Sequence, residues 1–471
     1  MPKNIPILNE AARKNGNTAV GGKTLTQGTP WKVILSFMFP IFAGLLLQQL
    51  YNTVDTLVVG NFAGESPLAA VGACGVLTMA FLSLANGFSA GAGVLIAQHF
   101  GTGEKKEMRE QASSALLLML GMGAIATVAG IFICRLALKY ILATPDSLLS
   151  MADTYFKIYA AGLIFQFGYN IVAAILRGVG DSKATLYFLM IASAINVVLD
   201  IVFVYNFQMG VAGAAIATDI AQAASCAAAF LYMMKKYPLF RWKWSEFTFS
   251  WVLAWRVLKA GFPMALQQFI VSFGFVFIQR AVNSYGEAMT ASFSVAQKIE
   301  TYMTLPANAL MTTQGTYTAQ NIGAGRMDRV MTGAKHTVII SEIISISILT
   351  IAFIFAQPLV TAFGLGQEAI AYCTAHVRFV ALCLIPFASY FPLLGLFQGA
   401  NNAIYSTFVA TAALAIRVVS TYVLQIIPAI SYHMIWWNTI FGWGLGCVIT
   451  WTHFLRGKWK PVVNQKLRTE E

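Results

Sequence analysis

Two aspartates, Asp55 and Asp200, stand in stretches of sequence that are otherwise apolar. A carboxylate at membrane depth is costly, so it faces a cavity or a partner and marks an ion path or a proton relay. Asp55 belongs to the run from Pro40 to Gly60, PIFAGLLLQQLYNTVDTLVVG, in which Pro40 can act as the hinge of the same helix. Asn196 lies one helical turn before Asp200 and on its face. With Thr218 of the following span, these residues supply two carboxylates, one amide and one hydroxyl. Such an oxygen set suits a hard cation such as Na⁺, which all four residues would ligate, or a proton shared by a coupled carboxylate pair. The competing reading is that both acids merely hydrogen-bond neighbouring helices. Buried acids default to function, which favours the coupling role.

Other polar residues within apolar runs carry less. Asn52 sits one turn before Asp55, and Gln166 and Asn170 share one face of the fourth span. Amides between helices are often simple glue worth about 0.6 kcal/mol, so these three line a site or only join helices. Asp219 neighbours Thr218 but points about 100° away on a helix, as a second proton carrier or a packing partner. A cavity for varied apolar cations needs adaptable Met and aromatic surfaces; Gln48, Tyr51, Gln267, Gln268 and Phe273 are candidates to line it. Glu300 in the eighth span is a candidate contact for substrate or cation. Its neighbour Lys298 is two residues away and not on its face.

About twelve helical spans are needed to position these residues. They fall near 33–61, 67–98, 112–142, 150–176, 184–206 and 210–234, then 255–284, 288–320, 333–362, 368–397, 404–428 and 431–455. Several exceed the roughly 20 residues that cross a bilayer, so tilt or projection is expected. The loops alternate in charge. Lys105, Lys106 and Arg109, then Arg177 and Lys183, then Lys235, Lys236, Arg241 and Lys243, then Arg326, Arg329 and Lys335 fall on one side, with Arg456, Lys458, Lys460, Lys466 and Arg468 of the tail. The short loops at 62–66, 206–210 and 283–287 hold no Lys or Arg; the loop after the tenth span also has none, a gap in the pattern. The positive-inside rule then predicts both termini in the cytoplasm. On this layout Asp55 and Asp200 each lie about six residues from the outer end of a span, and Thr218 about eight, so they share a depth.

Composition sets the class. The chain has 471 residues, 58% hydrophobic and only 11% charged, with mean hydropathy +0.67. Soluble domains carry about 25% charged residues. An all-α polytopic membrane protein is the class that fits. The net charge of +12 collects in loops on one side, which signals topology rather than a nucleic-acid partner. Cys74, Cys134, Cys226, Cys373, Cys383 and Cys447 all fall inside predicted helices without a CxxC pair and read as apolar packers. The five histidines, His99, His336, His376, His433 and His453, have no ligand spacing, which argues against an intramembrane enzyme. Gly16 to Thr24 resembles a phosphate loop, but it is one residue too long and follows no strand, so ATP-driven transport is not expected. The first apolar segment is too long for a signal-peptide core and lacks a small-residue cleavage site.

The chain repeats itself. Ala97-Gln98-x-x-Gly101-x-Gly103 recurs as Ala319-Gln320-x-x-Gly323-x-Gly325, an offset of 222 residues. The same offset pairs Asn86 with Asn308 and Gly64-Glu65 with Gly286-Glu287; Pro40 meets Pro263 after one residue of slippage, and Arg177-Gly178 answers Gln398-Gly399. Each repeat holds about six spans. The expected architecture is therefore two six-helix lobes, 33–234 and 255–455, related by a pseudo-two-fold axis along the membrane normal, with substrate sites between them. Tails at 1–32 and 456–471 and a basic, aromatic linker at 235–254 with Trp242 and Trp244 complete the plan; the linker reads as an interfacial segment. In this registration Asp55 meets Phe277, Asn196 meets Arg417 and Asp200 meets Thr421, so the acid cluster is not duplicated. One-sided charge, two like halves and no nucleotide motif point to a secondary transporter.

The sequence resembles the multidrug and toxic compound extrusion (MATE) family. The residues that carry the resemblance are Leu25-Thr26-x-Gly28-x-x-Trp31, Pro40, Gln48-Gln49-x-Tyr51-Asn52-x-x-Asp55, Ala69-Ala70-Val71-Gly72, Arg177-Gly178-x-Gly180-Asp181 and Asn196-x-x-x-Asp200. In the second half they are Ala296-Gln297-Lys298-Ile299-Glu300 and Pro306-Ala307-Asn308. The resemblance runs from about Leu25 to about Arg456. It implies two six-helix lobes around a central cavity and export of drugs or other amphipathic, often cationic, compounds in exchange for H⁺ or Na⁺. It also points to Asp55, Asn196, Asp200 and Thr218 as the cation site. Some branches place a coupling acid on the seventh helix; here span seven has Gln267 and Gln268 but no carboxylate before Glu287, so the matching branch couples through the N-terminal lobe. A monomer in a bacterial inner membrane, with no cofactor beyond the coupling ion, is expected. The alternative within transport is a lipid-linked saccharide or lipid flippase of related fold, kept open by Arg280, Arg378 and Arg417 inside spans.

Overall fold

Backbone groups in hydrocarbon have no water to bond, so a chain this apolar must satisfy them within helices. The computed structural model describes residues 22–142, 144–427 and 431–460, and the regular structure among them is wholly helical. Fourteen helices succeed one another: α1 (Pro30–Val58), α2 (Glu65–Thr102), α3 (Lys105–Leu136), α4 (Asp146–Ala161), α5 (Leu163–Gly178), α6 (Ser182–Asp200), α7 (Gly210–Lys236), α8 (Trp251–Asn283), α9 (Glu287–Gly323), α10 (Met327–Thr361), α11 (Gln367–Phe387), α12 (Tyr390–Gly399), α13 (Ala403–Gln425) and α14 (Met434–Arg456). Among the described residues nine helices are long and apolar enough to cross a membrane, and ten spans result when α4 and α5, bent by 45°, count as one. The expected eighth and twelfth spans are α9 and α14, 37 and 23 residues long, which are spanning in length but less apolar. The protein is thus an all-helical, multi-pass membrane protein. The phosphate-loop-like run lies mostly outside the described residues, as do 1–21 and 461–471 of the tails.

Contacts divide the chain into two compact units. One takes residues up to 269 together with 320–329; the other takes 270–319 and the residues from 330 onward. In the first unit α5 packs against α2, α3 and α7, and most of its residues are buried, Gln166 of its polar edge among them. Small residues let α2 and α8 approach closely: a Cβ on Gly87 would lie 2.2 Å from the Ala265 backbone, and one on Gly91 would lie 2.5 Å from Gly261 N. The two copies of the repeated motif pack reciprocally. A Cβ on Gly101 would lie 2.1 Å from the carbonyl oxygen of Gln320, and a Cβ on Gly323 would lie 2.1 Å from that of Gln98.

A strap, residues 22–29, closes this end of the first unit. Leu25 is buried, its N–H donates to Gln320 Oε1 at 2.9 Å, and Arg329 donates to the carbonyls of Leu25, Gln27 and Gly28. Gly180 is required here twice over. Its φ is +87°, and a Cβ would collide with the Lys23 carbonyl. Its repeat counterpart, Asn401, is also left-handed at φ +62°. The linker does not lie free. Two short 3₁₀ turns, Pro238–Phe240 and Trp244–Glu246, pack on α3, where Arg109 pairs with Glu246 at 2.8 Å and Ser113 Oγ donates to Thr248 O. Trp242 is buried between Phe240 and Phe247.

In the second unit α13 packs along α14, with Gly442 leaving room for the stem of Arg417. Its apolar core joins α9, α10, α11 and α14 through Ile299, Ala356, Val377, Leu384 and Trp443.

Candidate functional site

Proline at position 40 leaves α1 unbroken: the helix runs from Pro30 to Val58 with Pro40 buried inside it. Beyond Pro40 the helix shows two polar edges. Tyr51 and Asp55, one turn apart, are half-buried, whereas Gln48, Asn52 and Thr56 are exposed. The wall opposite Tyr51 and Asp55 is made by α6, which packs along α1, and by α7. There Asn196, Asp200 and Thr218 are all buried, at 1%, 0% and 8% exposure. The structure therefore brings together the four oxygen-bearing residues that the sequence singled out.

The bonding among them is one-sided. Asn196 Nδ2 donates to Thr218 Oγ1 at 3.3 Å, and Thr218 Oγ1 donates to Ala214 O at 3.0 Å. The Tyr51 hydroxyl hydrogen-bonds with Thr218, which places Tyr51 in the cluster. The carboxyls of Asp55 and Asp200 lie within hydrogen-bonding reach of each other. Two ionised carboxylates have no proton to share, so this contact requires a proton or a cation between them. Asp55 Oδ1, Asn196 Oδ1 and both Asp200 oxygens are buried without a donor among the described residues. These unpartnered oxygens, two carboxyls in reach of each other beside an amide, make a cradle able to hold a hard cation or protons.

Two features around this cradle had no equivalent in the sequence reading. Helices α1 and α6 both end in a wider π-type turn, Val59–Ala63 and Ile201–Asn206, directly after the segments carrying the acids. Such turns are frequent at functional sites, and α3 ends in one too, at Ala137–Ile141, so they accompany the acids without marking them by themselves. Tyr155 and Tyr159 of α4 are buried and stack on each other, and Asp55 and Tyr51 are close enough to act electrostatically on Tyr155. Their i, i+4 spacing on a short helix was the available signal.

The remaining candidates scatter. Gln166 accepts from the Tyr159 hydroxyl at 3.0 Å, and Asn170 Nδ2 donates to the Gln166 carbonyl, so both are engaged between or within helices. Asp219 presses against Gly162 at the bend between α4 and α5, where a Cβ would lie 2.0 Å from its Oδ1, and it accepts from the Gly162 N–H. Gln268 is exposed and Gln267 half-buried on α8, while Phe273 is exposed. Glu300 belongs to the second unit. Its oxygens lie 3.9 Å from His376 Nε2 and 4.0 Å from Arg417 Nη1. Arg417 in turn donates to Asn438 Oδ1 at 2.9 Å and Thr439 Oγ1 at 3.1 Å. Lys298 is exposed and takes no part.

Comparison with known proteins decides the family. The family described as MatE matches residues 40–202 and 263–423, most of the chain. The chain belongs to the MatE family. These are membrane transporters, so this MatE protein is a transporter and not an enzyme. It is 29% identical over 457 residues to a protein of Bacillus subtilis named probable multidrug resistance protein YpnP, covering 95% of this chain and 99% of that one. It is similar in fold to a solved structure described as the outward-facing conformation of a multidrug resistance MATE family transporter of the MOP superfamily, with TM-score 0.85, 23% identity and 92% and 96% of the two chains covered. A structure of MATE in the bent conformation matches this MatE protein with TM-score 0.84, 22% identity and coverage of 94% and 96%.

Proposed function

We propose that this protein is a secondary antiporter that exports drugs or other amphipathic, often cationic, organic compounds in exchange for H⁺ or Na⁺. Asp55, Asn196, Asp200 and Thr218 are its coupling site. The observation that carries this reading is the set of buried oxygens on Asp55, Asn196 and Asp200 with no donor among the described residues. The name of the Bacillus subtilis relative supports drugs as the cargo class.

The coupling follows from charge. With both carboxylates ionised, α1 and α6 repel across the cradle. An arriving H⁺ or Na⁺ bridges the two acids and holds the outer half of α1 against α6 and α7. Substrate and cation must prefer opposite states, because only differential affinity shifts an equilibrium. Pro40 supplies no N–H to the carbonyl of Ser36, so α1 can bend there with one fewer bond to break. A relative solved in a bent conformation shows that this fold accommodates bending in that protein. The exposed edge Gln48, Asn52 and Thr56 then lines the substrate path while Tyr51 and Asp55 face the cation. We assign two six-helix lobes at 33–234 and 255–455, both termini to the cytoplasm, and a monomeric protein in a bacterial inner membrane. A saccharide-lipid flippase would need free intramembrane cations; Arg417 is engaged by Asn438 and Thr439 and Arg378 donates to Phe353 O, which disfavours that reading, while Arg280 is exposed on α8.

The test is dye export from liposomes holding the purified protein, with pH and Na⁺ gradients imposed separately. Asp55→Asn should abolish gradient-driven export while the protein remains folded. Undiminished export by that variant would sink the mechanism.

A further inference from the structure

A second polar site lies far along the same helices from the acid pair. A cavity of about 210 Å³ opens where α1 and α6 begin and α7 ends. Lys23, Lys183 and Lys236 converge on it, together with Ser36, Ser182 and Asp181. The Asp181 carboxylate is offset by Lys236 and its lone pairs are occupied, so it leaves the other two ammonium groups uncompensated. It accepts from Tyr237 OH at 2.7 Å, Lys236 Nζ at 2.8 Å, Tyr232 OH at 3.0 Å and Ala184 N at 3.2 Å. The three ammonium groups retain donors. Each has three N–H bonds. Lys23 spends one on Ser36 Oγ, Lys236 spends two on Asp181 and Tyr232, and Lys183 is exposed and makes no side-chain hydrogen bond among the described residues. Three cations against one carboxylate leave the cavity net positive by two, lined with hydroxyls and unused N–H donors.

The surroundings specify what kind of anion fits. Level with the cavity and up to two turns beyond it, Leu35 and Phe39 of α1 and Tyr187, Met190 and Ile191 of α6 are exposed apolar side chains. The cavity therefore sits at the end of a hydrocarbon-facing surface, at the level where lipid headgroups lie. Basic pockets between membrane helices on the cytoplasmic side suit phosphate headgroups.

We propose that this cavity binds the phosphate headgroup of an anionic phospholipid, with its acyl chains against α1 and α6. The phosphate oxygens accept from Lys23, Lys183 and Lys236, and the serine hydroxyls complete the shell. A bound headgroup also pins the 22–29 strap to the start of α6, since Lys23 belongs to the strap. Placement in the cytoplasmic leaflet rests on the topology proposed above, but the binding does not depend on transport.

Thermal melting of the purified full-length protein in detergent tests this directly. Phosphatidylglycerol should raise the Tm by about 3 °C at saturation, as expected for ligation of the folded state alone, and phosphatidylcholine should not. Lys23→Ala/Lys183→Ala should lose that rise while melting normally without lipid. Lys105→Ala/Lys106→Ala, which removes equal charge from another loop, should keep it. Equal protection of all three proteins would overturn the site. Equal protection by inorganic phosphate would overturn the lipid and leave a site for soluble phosphate. Because melting needs no gradient, loss of export in Asp55→Asn and loss of lipid protection are independent failures.

Discussion

Glu300 of the second unit has Arg417 and His376 within 4.0 Å, whereas Asp55 and Asp200 of the first unit have only each other and no basic partner among the described residues. Both are carboxylates in helices that cross hydrocarbon. The difference lies in who supplies the countercharge. Arg417 is permanently charged, so Glu300 is compensated by the protein itself whatever the solution holds. The Asp55–Asp200 pair can be compensated only by something that arrives. On the function proposed above, the carboxylate with a built-in cation serves the fold, and the pair without one senses a mobile cation. The repeat makes the contrast sharper, since Arg417 occupies the position that Asn196 occupies in the first half.

This comparison can be broken most decisively at Asp200. Asp200→Asn should reduce gradient-driven export to background and should raise the melting temperature, because it removes a buried charge that has no partner. A lower melting temperature would mean that Asp200 is structurally paired after all. Glu300→Gln should do the reverse. It strands the Arg417 guanidinium and should cost about 3 kcal/mol of stability, with export per folded molecule retained; Glu300→Gln/Arg417→Met should recover most of that loss in the same melting assay. Tyr51→Phe removes one hydrogen bond to Thr218, and the half-saturating cation concentration for export should rise by about fivefold, while His376→Ala should leave that concentration unchanged.

The smallest effect concerns a third acid that resembles Glu300 in being paired but lies outside the membrane spans. Burial pushes the Asp181 carboxyl up, yet hydrogen bonds from Lys236 and Tyr237 outweigh it and hold it below the usual carboxylate range. A depressed folded value contributes stability that is full above the unfolded value of about 3.9 and is lost as pH falls through the folded one. Asp181→Asn should therefore melt below the parent at pH 7, by about 1.5 kcal/mol, and the gap should close as the pH drops below about 4.

Much of the molecule was legible in the chain because its signals are local. Hydropathy is a property of neighbouring residues, and it delivered the helical class and, of the twelve expected spans, the nine or ten that are long and apolar enough to cross among the described residues. The same locality explains why Asp55, Asn196, Asp200 and Thr218 stood out: a polar residue in an apolar run needs no partner to be noticed. The contribution of Tyr155 and Tyr159 was not legible, since a tyrosine in a membrane helix is ordinary until its neighbours are known. Gln166 and Gln48 look alike in sequence, yet one is tied to Tyr159 and the other is open. Which edge of α1 meets α6 is set by how two helices pack, and no single helix encodes that. The same holds for the strap and its lysine cavity, where residues 23, 183 and 236 meet only because three helix ends converge. Sequence alone determined that acids lie buried at similar depth, because depth follows from position along a span. Only the tertiary structure decided which acid has a fixed cation beside it, because countercharge is a matter of which helices touch.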